Sequence, residues 1–416
     1  MDDDQDLSTD RPAPRPGRRR RESAERRHRR TVWRVVLISQ LCLALLTAGT
    51  VAVAYDRLDS GLEVQDIEDQ LMNRPEKKEV EGPEEPLNIL VLGTDDRGCE
   101  GCAIDGESGG GGSDTTLLIH VSADRKDAYG VSLPRDALVD RPDCMAEDGT
   151  VIPGEDLAMF NTAFAEGGAA CTVQTLEQLT GVLIDHYVTV DFNGFVDMVD
   201  AVGGVEVCLP KEVADPKTKI YLDAGTQVLD GEDALKYVRE RSVLSTNSDI
   251  GRMKRQQAFI ASMVNKVVSA GTLTRPDRVY GFLKAATGSL TLDADLDSLS
   301  RLADLALQFR ETGLSDIKFI SVPFEAYEPD PNRLVWTDEA DKLWTRIKRD
   351  KPLSPALREG AINAADPVGG DDKDPSASPG DASGGPDDEP SASAEPDDDA
   401  PTEEERAEAL ANGLCA

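Results

Sequence analysis

Twenty consecutive uncharged residues, Val35 to Ala54, constrain this chain more than any other feature. A helical stretch of about 20 apolar residues matches the hydrocarbon core of a bilayer. Trp33 and Tyr55 flank it, where membrane-interface aromatics belong. Residues 11–30, just before it, carry ten Arg against two Glu. The positive-inside rule therefore puts the N-terminus in the cytoplasm and everything beyond Tyr55 outside. A cleavable secretory signal is the rival reading. Its apolar core is shorter, about 7–15 residues, although Ala52-Val53-Ala54 resembles a cleavage motif.

The span divides the chain into five segments. Residues 1–30 lack apolar periodicity and read as a disordered, Arg-rich cytoplasmic tail. Residues 33–55 are the transmembrane helix. Residues 56–86, with Pro75, Pro83 and Pro86, read as an extracytoplasmic stalk. Residues 87–351 read as one globular domain. Residues 352–416 form an acidic Pro/Ser/Asp-rich tail that cannot bury enough apolar surface to offset its chain entropy, so it is expected to be disordered. With 79 acidic against 45 basic residues, the net charge of -34 argues against nucleic acid as a partner. The arginines beside the span suit anionic lipid instead. Only three His are present, which argues against a His-rich metal site or a Ser/His/Asp triad.

Strand-like and helix-like stretches alternate in the globular segment. Strands are expected at 87–93, 115–121, 128–133, 185–192, 205–209 and 317–322. Helical spacing runs through 194–202, and Ile260, Met263, Val264, Val267 and Val268 mark one apolar helix face. This predicts an α/β fold, an α-β-α sandwich-like mixed sheet flanked by helices. Exported domains keep disulfides. Cys99 and Cys102 have CxxC spacing, open to a local disulfide, another pairing, or metal or redox chemistry. Cys144 with Cys171 is the expected second bridge, leaving Cys208 as a buried free thiol.

Two groups of residues can carry chemistry. Asp95, Asp96 and Arg97 follow the first strand, Asp114 opens the second, and Arg135-Asp136 follows the third. Ligands of α/β sheets bind outside the carboxyl ends of strands. The bland alternative is a set of solvated turns. The denser group comprises Arg239, Arg241, Asp249, Arg252, Lys254, Arg255 and Gln256. If 237–241 is extended, Arg239 and Arg241 face one side. Arg252, Arg255 and Gln256 lie one helical turn apart. Cations so crowded repel unless an anion binds among them, and the planar Arg fork grips phosphate with two bonds. The bland alternative is a solvated basic face, its arginines paired to Glu240 and Asp249. Acids beside arginines also suit Mg²⁺, which binds one or two carboxylates plus phosphate oxygens and water.

The segments NILVLGTDDR (88–97), SDTTLLIHVSAD (113–124), VSLPRD (131–136), FNTAFAEGG (160–168), TGVLIDHYVTVDFNGFVDMVDAVGGVEVCLP (180–210), LDGEDALKYVRERS (229–242) and DIGRMKRQQ (249–257) resemble the LytR-CpsA-Psr family, in the family's order. The resemblance implies an Mg²⁺-dependent phosphotransferase that moves a glycopolymer from a polyprenyl-pyrophosphate carrier to a peptidoglycan hydroxyl at the outer face of the membrane. It implies Asp95 and Asp114 as metal ligands and Arg135, Arg239 and Arg241 on the pyrophosphate. Asp249, Arg252, Arg255 and Gln256 complete the head-group site, with Arg97 nearby. Two positions depart from the family pattern: Gly112 and Met159 stand where Arg and Lys are common. Arg97 and Lys254 are candidates to replace those cations. The tails suggest an actinobacterial-type member. A pyrophosphatase acting on the same lipid and a non-catalytic lipid-binding envelope regulator are the alternatives.

Topology is testable by labelling. Single cysteines introduced by Ser23→Cys and Ser376→Cys in a cysteine-free background should react differently with a membrane-impermeant maleimide. Intact cells should label position 376 and not 23; the reverse pattern would overturn the orientation.

Overall fold

The computed structural model describes residues 18–80, 82–94, 112–216, 219–240, 243–244, 248–269, 276–309, 311–367 and 402–415. Asp95, Asp96, Arg97, Cys99, Cys102 and Arg241 lie outside these residues, so the expectations placed on them are not addressed by it. The chain divides into two units, 1–57 and 58–416.

The first unit is helical where described. Helix α1, Arg18–Asp59, includes the apolar stretch Val32–Asp59, which is long and apolar enough to cross a membrane. Residues 18–30, expected to be disordered, continue the same helix. Arg, Glu and Ala are all good helix formers, which accounts for it.

Eight strands of the described residues form the central sheet of the second unit. In chain order these are β1 (Glu63–Val64), β2 (Leu87–Thr94), β3 (Ser113–Val121), β4 (Ala128–Leu133) and β5 (His186–Val190). After a separate hairpin of β6 (Val205–Leu209) and β7 (Gly225–Leu229), the sheet adds β8 (Leu290–Leu292), β9 (Ile317–Ser321) and β10 (Ile362–Asn363). Their spatial order is β1-β8-β5-β2-β3-β4-β9-β10, with parallel pairs β1/β8, β2/β5 and β4/β9 and antiparallel pairs elsewhere. The mixed α/β sheet flanked by helices is thus the expected architecture.

Strand alternation sorts the apolar residues onto two faces. Leu90, Leu92, Leu118, Val131 and Ile320 pack on one face against helices α2 (Thr162–Thr180) and α6 (Asp338–Lys348), through Val173, Leu176, Leu343, Trp344 and Ile347. Val91, Leu117, Ile119 and Phe319 point the other way. They face helices α3 (Phe192–Ala201), α4 (Gly231–Arg239) and α5 (Ser248–Ser269). Aspartate caps begin two of these helices: the Asp191 carboxylate accepts from the Gly194 amide at 2.6 Å, and Asp230 from that of Asp233 at 3.0 Å.

Three boundary expectations are corrected. The stretch 56–86 is no free stalk. Leu58 and Ile67 are buried, β1 joins the sheet, and the Met72 amide donates to Gln174 at 2.8 Å. Arg74 reaches Glu177 at 2.7 Å and Lys77 reaches Asp185 at 2.6 Å. The prolines disguise this, because after β1 the docking runs largely through single side chains such as Arg74 and Lys77. At the other end the domain continues past 351: Pro355–Arg358 is a helical turn, and β10 pairs with β9. Helix α7, Glu403–Ala411, is ordered too, and Cys415 is disulfide-bonded to Cys208, which is therefore no free thiol. The expected Cys144–Cys171 bridge is present, joining residues 27 apart in sequence.

Glu177 is the test of the first correction. Its side chain is 1% exposed, and it accepts from Arg74 and from the Ile184 amide. Arg74→Met should leave a buried carboxylate without its cation and lower unfolding stability in urea by about 3 kcal/mol. Unchanged stability would return residues 56–86 to the role of a simple tether.

Candidate active site

The site sits at one end of the sheet, where β2 ends, β3 begins and β4 ends. Sequence creates the opening in two steps. A register shift falls between Gly93 and Thr94, where Thr94 pairs with Ser113. A Cβ on Gly93 would lie 3.1 Å from that of Thr115, so the strands approach closely where residue 93 has no side chain. The Ser113 hydroxyl fills the irregularity, bonding to the Thr115 carbonyl at 2.9 Å and the Gly93 carbonyl at 3.3 Å. Asp114 is thereby presented at the rim.

Arg135, just beyond β4, gathers three carboxylates from three elements. Its Nη1 meets Asp114 at 2.6 Å, its Nε meets Asp136 at 3.2 Å, and its Nη2 lies 3.6 Å from Asp249 at the start of α5. Burial alone would lower the Arg135 pKa, but Asp136, Asp114 and Asp249 outweigh it and hold the pKa above the ordinary arginine value. Asp249 also pairs with Arg252 at 3.1 Å. These residues line a narrow cleft together with Ser132, Met253, Gln256 and Leu334.

A larger cavity, about 240 Å³, opens beside that cleft and shares Asp114, Thr115, Arg252 and Gln256 with it. Its walls are the sheet residues Val91, Leu117 and Ile119 and the helix residues Phe195, Met198, Leu235, Phe259, Ile260 and Met263. Its polar lining includes Asp114, Arg239, Arg252 and Gln256. Arg239 places its guanidinium 4.4 Å from the centre of the Phe192 ring, a cation–π contact. Gln256 donates to the Val238 carbonyl at 3.2 Å, which ties α5 to α4 beside Arg239.

Asp114, Arg135, Arg239, Asp249, Arg252 and Gln256 are thus brought together around two connected openings, while Asp95, Arg97 and Arg241 lie outside the described residues. Two expectations are corrected. The segment ending in Arg239 is helical, so strand alternation cannot align it with Arg241. The Asp230 cap and the helix-forming run Glu232 to Lys236 decide the local structure. Arg255 does not join the head-group side. It is fully buried, pairs with Glu240 at 3.8 Å, and donates to the carbonyls of Glu240 and Asn412. At 3.6 residues per turn Gln256 lies about 40° to one side of Arg252 and Arg255 about 60° to the other, so the two point to opposite flanks. Lys254 also faces away, donating to the Gly360 carbonyl at 2.8 Å.

Sequence reasoning missed Phe192 as a platform for Arg239, and Arg333, which reaches Asp136 at 3.4 Å. The aromatic pair in DFNGF, just after a predicted strand, was a usable signal for Phe192; nothing local marks Arg333. Within the stretch 183–207, Val190, Asp191, Phe192, Phe195 and Met198 line the cavity. Val199, Val202, Val205 and Val207 are core.

Among the described residues no three His, Cys, Asp or Glu side chains converge on a metal-sized point. Mg²⁺ does not require such a cage, because water and substrate phosphate complete its shell. Asp114, a hard oxygen donor at the rim of both openings, fits that mode of binding.

The family model of the LytR_cpsA_psr family matches residues 58–349. Among curated relatives, the probable cell wall biosynthesis protein LcpB of Corynebacterium glutamicum is 34% identical over 229 residues, covering 54% of this chain and 52% of LcpB. LcpA of the same organism, a cell wall biosynthesis protein, is 32% identical over 261 residues, covering 57% of this chain and 49% of LcpA. The chain thus spans about half the length of these two relatives. The polyisoprenyl-teichoic acid–peptidoglycan teichoic acid transferase TagU of Enterococcus faecalis is 31% identical over 235 residues, covering 56% of this chain and 70% of TagU. The LytR-Csp2A-Psr enzyme from Actinomyces oris superposes with a TM-score of 0.51 at 22% identity, covering 71% of this chain and 97% of that one, a likeness of fold. A family match across the whole second unit up to residue 349, on a sheet that carries the motif residues at one end, has one consequence: the chain belongs to the LytR-CpsA-Psr family.

Proposed function

We propose that the protein transfers a phosphate-linked glycopolymer from a polyprenyl-pyrophosphate carrier to a hydroxyl of peptidoglycan, at the outer face of a membrane that α1 crosses with its N-terminus inside. The observation that carries this reading is the continuity of an apolar cavity with a mouth of arginines and aspartates. Apolar walls facing a space of about 240 Å³ are stabilised when an apolar ligand covers them, by about 25 cal/mol per Å² removed from water. A fold that keeps such a space between sheet and helices has room there for an apolar ligand. A ligand with a hydrocarbon tail and a multiply charged head matches both parts. Teichoic acid transfer to peptidoglycan is the named reaction of the TagU relative, which agrees with this chemistry.

In this reading the prenyl tail lies against Val91, Leu117, Phe195 and Ile260, and the pyrophosphate reaches Arg239 and Arg252. The acceptor hydroxyl, giving up its proton to solvent, attacks through its oxygen the phosphorus that bears the sugar. Its bond to the bridging oxygen breaks, polyprenyl phosphate leaves, and the polymer stays joined through a phosphodiester. Arg239 and Arg252 neutralise the charge that builds on the leaving phosphate. Asp249, 41% exposed and the most open of the three acids around Arg135, orients the acceptor hydroxyl. Arg135 fixes the positions of all three carboxylates. Mg²⁺, held at Asp114 together with Asp95, would polarise phosphate oxygens.

Two substitutions separate tail from head. Ile260→Trp fills the cavity and should weaken binding of a polyprenyl pyrophosphate at least about tenfold without lowering the melting temperature. Arg239→Ala removes a charge-assisted contact of about 1.5–3 kcal/mol and should cost about tenfold or more in turnover, with Arg239→Lys intermediate. Product analysis with a peptidoglycan acceptor distinguishes transfer from hydrolysis. Full binding by both variants would place the lipid elsewhere, and release of free phosphorylated polymer alone would make the protein a pyrophosphatase.

A further inference from the structure

The far C-terminus closes over the back of the arginine site. After α7 the chain turns at Gly413, where φ is +78° and a Cβ would lie 2.7 Å from the Leu244 carbonyl oxygen. Cys415 is bonded to Cys208 on β6, with Cα atoms 5.6 Å apart. Asn412 is 5% exposed, and its carbonyl accepts from Arg255 Nη1 at 3.2 Å. The other arm of Arg255 donates to the Glu240 carbonyl. Glu240 is buried in turn; its carboxylate accepts from the Val243 amide at 2.7 Å and the Leu244 amide at 3.0 Å.

One buried guanidinium therefore joins three segments: α5, the end of α4, and the C-terminus. Its position matters because of its neighbours in sequence. Arg255 directly precedes Gln256 and follows Arg252 by three residues, and Glu240 directly follows Arg239. Three of the polar residues at the cavity mouth thus hang on elements that Arg255 links. Burial lowers the Arg255 pKa, and Tyr237 and Glu240 offset that only in part. So desolvated a cation, placed outside both openings, is poorly explained as a ligand group and well explained as a brace.

We propose that residues 412–415, held by the Cys208–Cys415 bridge, are a positioning element of the head-group site, acting through Arg255 and Glu240 on Arg239, Arg252 and Gln256. A plain surface clamp would raise stability and treat all ligands alike. A positioning element selects for the charged head. The identity of that head rests on the reading given under Proposed function, whereas the brace itself does not.

The test compares the full-length protein with a chain ended after Thr402 that also carries Cys208→Ser. Three quantities are measured: amide hydrogen exchange at Val243 and Leu244 without ligand, affinity for geranylgeranyl pyrophosphate, and affinity for geranylgeraniol, which has the same tail and no charge. Shortening should speed exchange at both amides at least about tenfold and weaken pyrophosphate binding at least about tenfold, the loss expected for one misplaced charge-assisted contact. It should change alcohol binding less than about twofold. Equal weakening of both ligands, or unchanged pyrophosphate binding, would overturn the proposal. If the full-length protein binds neither compound, the reading of the site as a lipid pocket fails. The brace is then judged by exchange alone, and unchanged exchange sinks it. Should the shortened chain not fold, the full-length Cys208→Ser/Cys415→Ser protein takes its place with the same outcomes.

Discussion

A single guanidinium holding three carboxylates is the contact on which the charged end of this sheet depends. Asp114 belongs to β3, Asp136 to the turn after β4, and Asp249 to the first turn of α5. Without Arg135, three negative charges would face one another across a narrow cleft. With it, the strand ends and the helix start are fixed to one point. The three acids keep oxygen atoms directed into the cleft. Charge balance is close: Arg135, Arg252 and Arg239 stand against Asp114, Asp136 and Asp249. A site so balanced can accept a dianionic head only by exchanging partners or by recruiting a cation, which is the physical motive for Mg²⁺ in the proposed reaction.

The two faces of the sheet are used differently. The face carrying Leu90, Leu92 and Leu118 is packed tightly under α2 and α6 and supplies the main core. The opposite face, with Val91, Leu117 and Ile119, is covered by helices that stand off enough to leave the cavity. One side is filled with core and the other keeps an open space. Large-to-small changes on the α2 side act through packing alone, whereas changes on the α5 side act on a space that a ligand can occupy.

Much of this was legible in the sequence because periodicity is a local property. The strand at Ala128–Leu133 was read residue for residue, and the alternation in DHYVTVDF found β5. The sequence places Asp114 and Arg135 at strand ends and Asp249 and Arg252 at a helix start, as two groups that only the family resemblance joins; in the fold all four line one cleft. The errors fall where long-range contacts override local pattern. Residues 56–86 look like a linker, yet they dock through Arg74 and Lys77 onto acids more than a hundred residues away. Arg255 carries the same local signature as Arg252, and only the buried Glu240 and the distant Asn412 reveal that it faces the other flank. Nothing in the composition of a Pro/Ser/Asp-rich tail announces that its final residues are covalently fixed.

That last bond changes the topology of the chain. Residues 368–401 connect β10 to α7, and both ends of the connection belong to the same domain. The Cys208–Cys415 bond closes residues 208–415 into one covalent ring. A protease that cuts within it leaves both pieces joined through Cys208 and Cys415, and the negative charge stays with the domain after the backbone is broken.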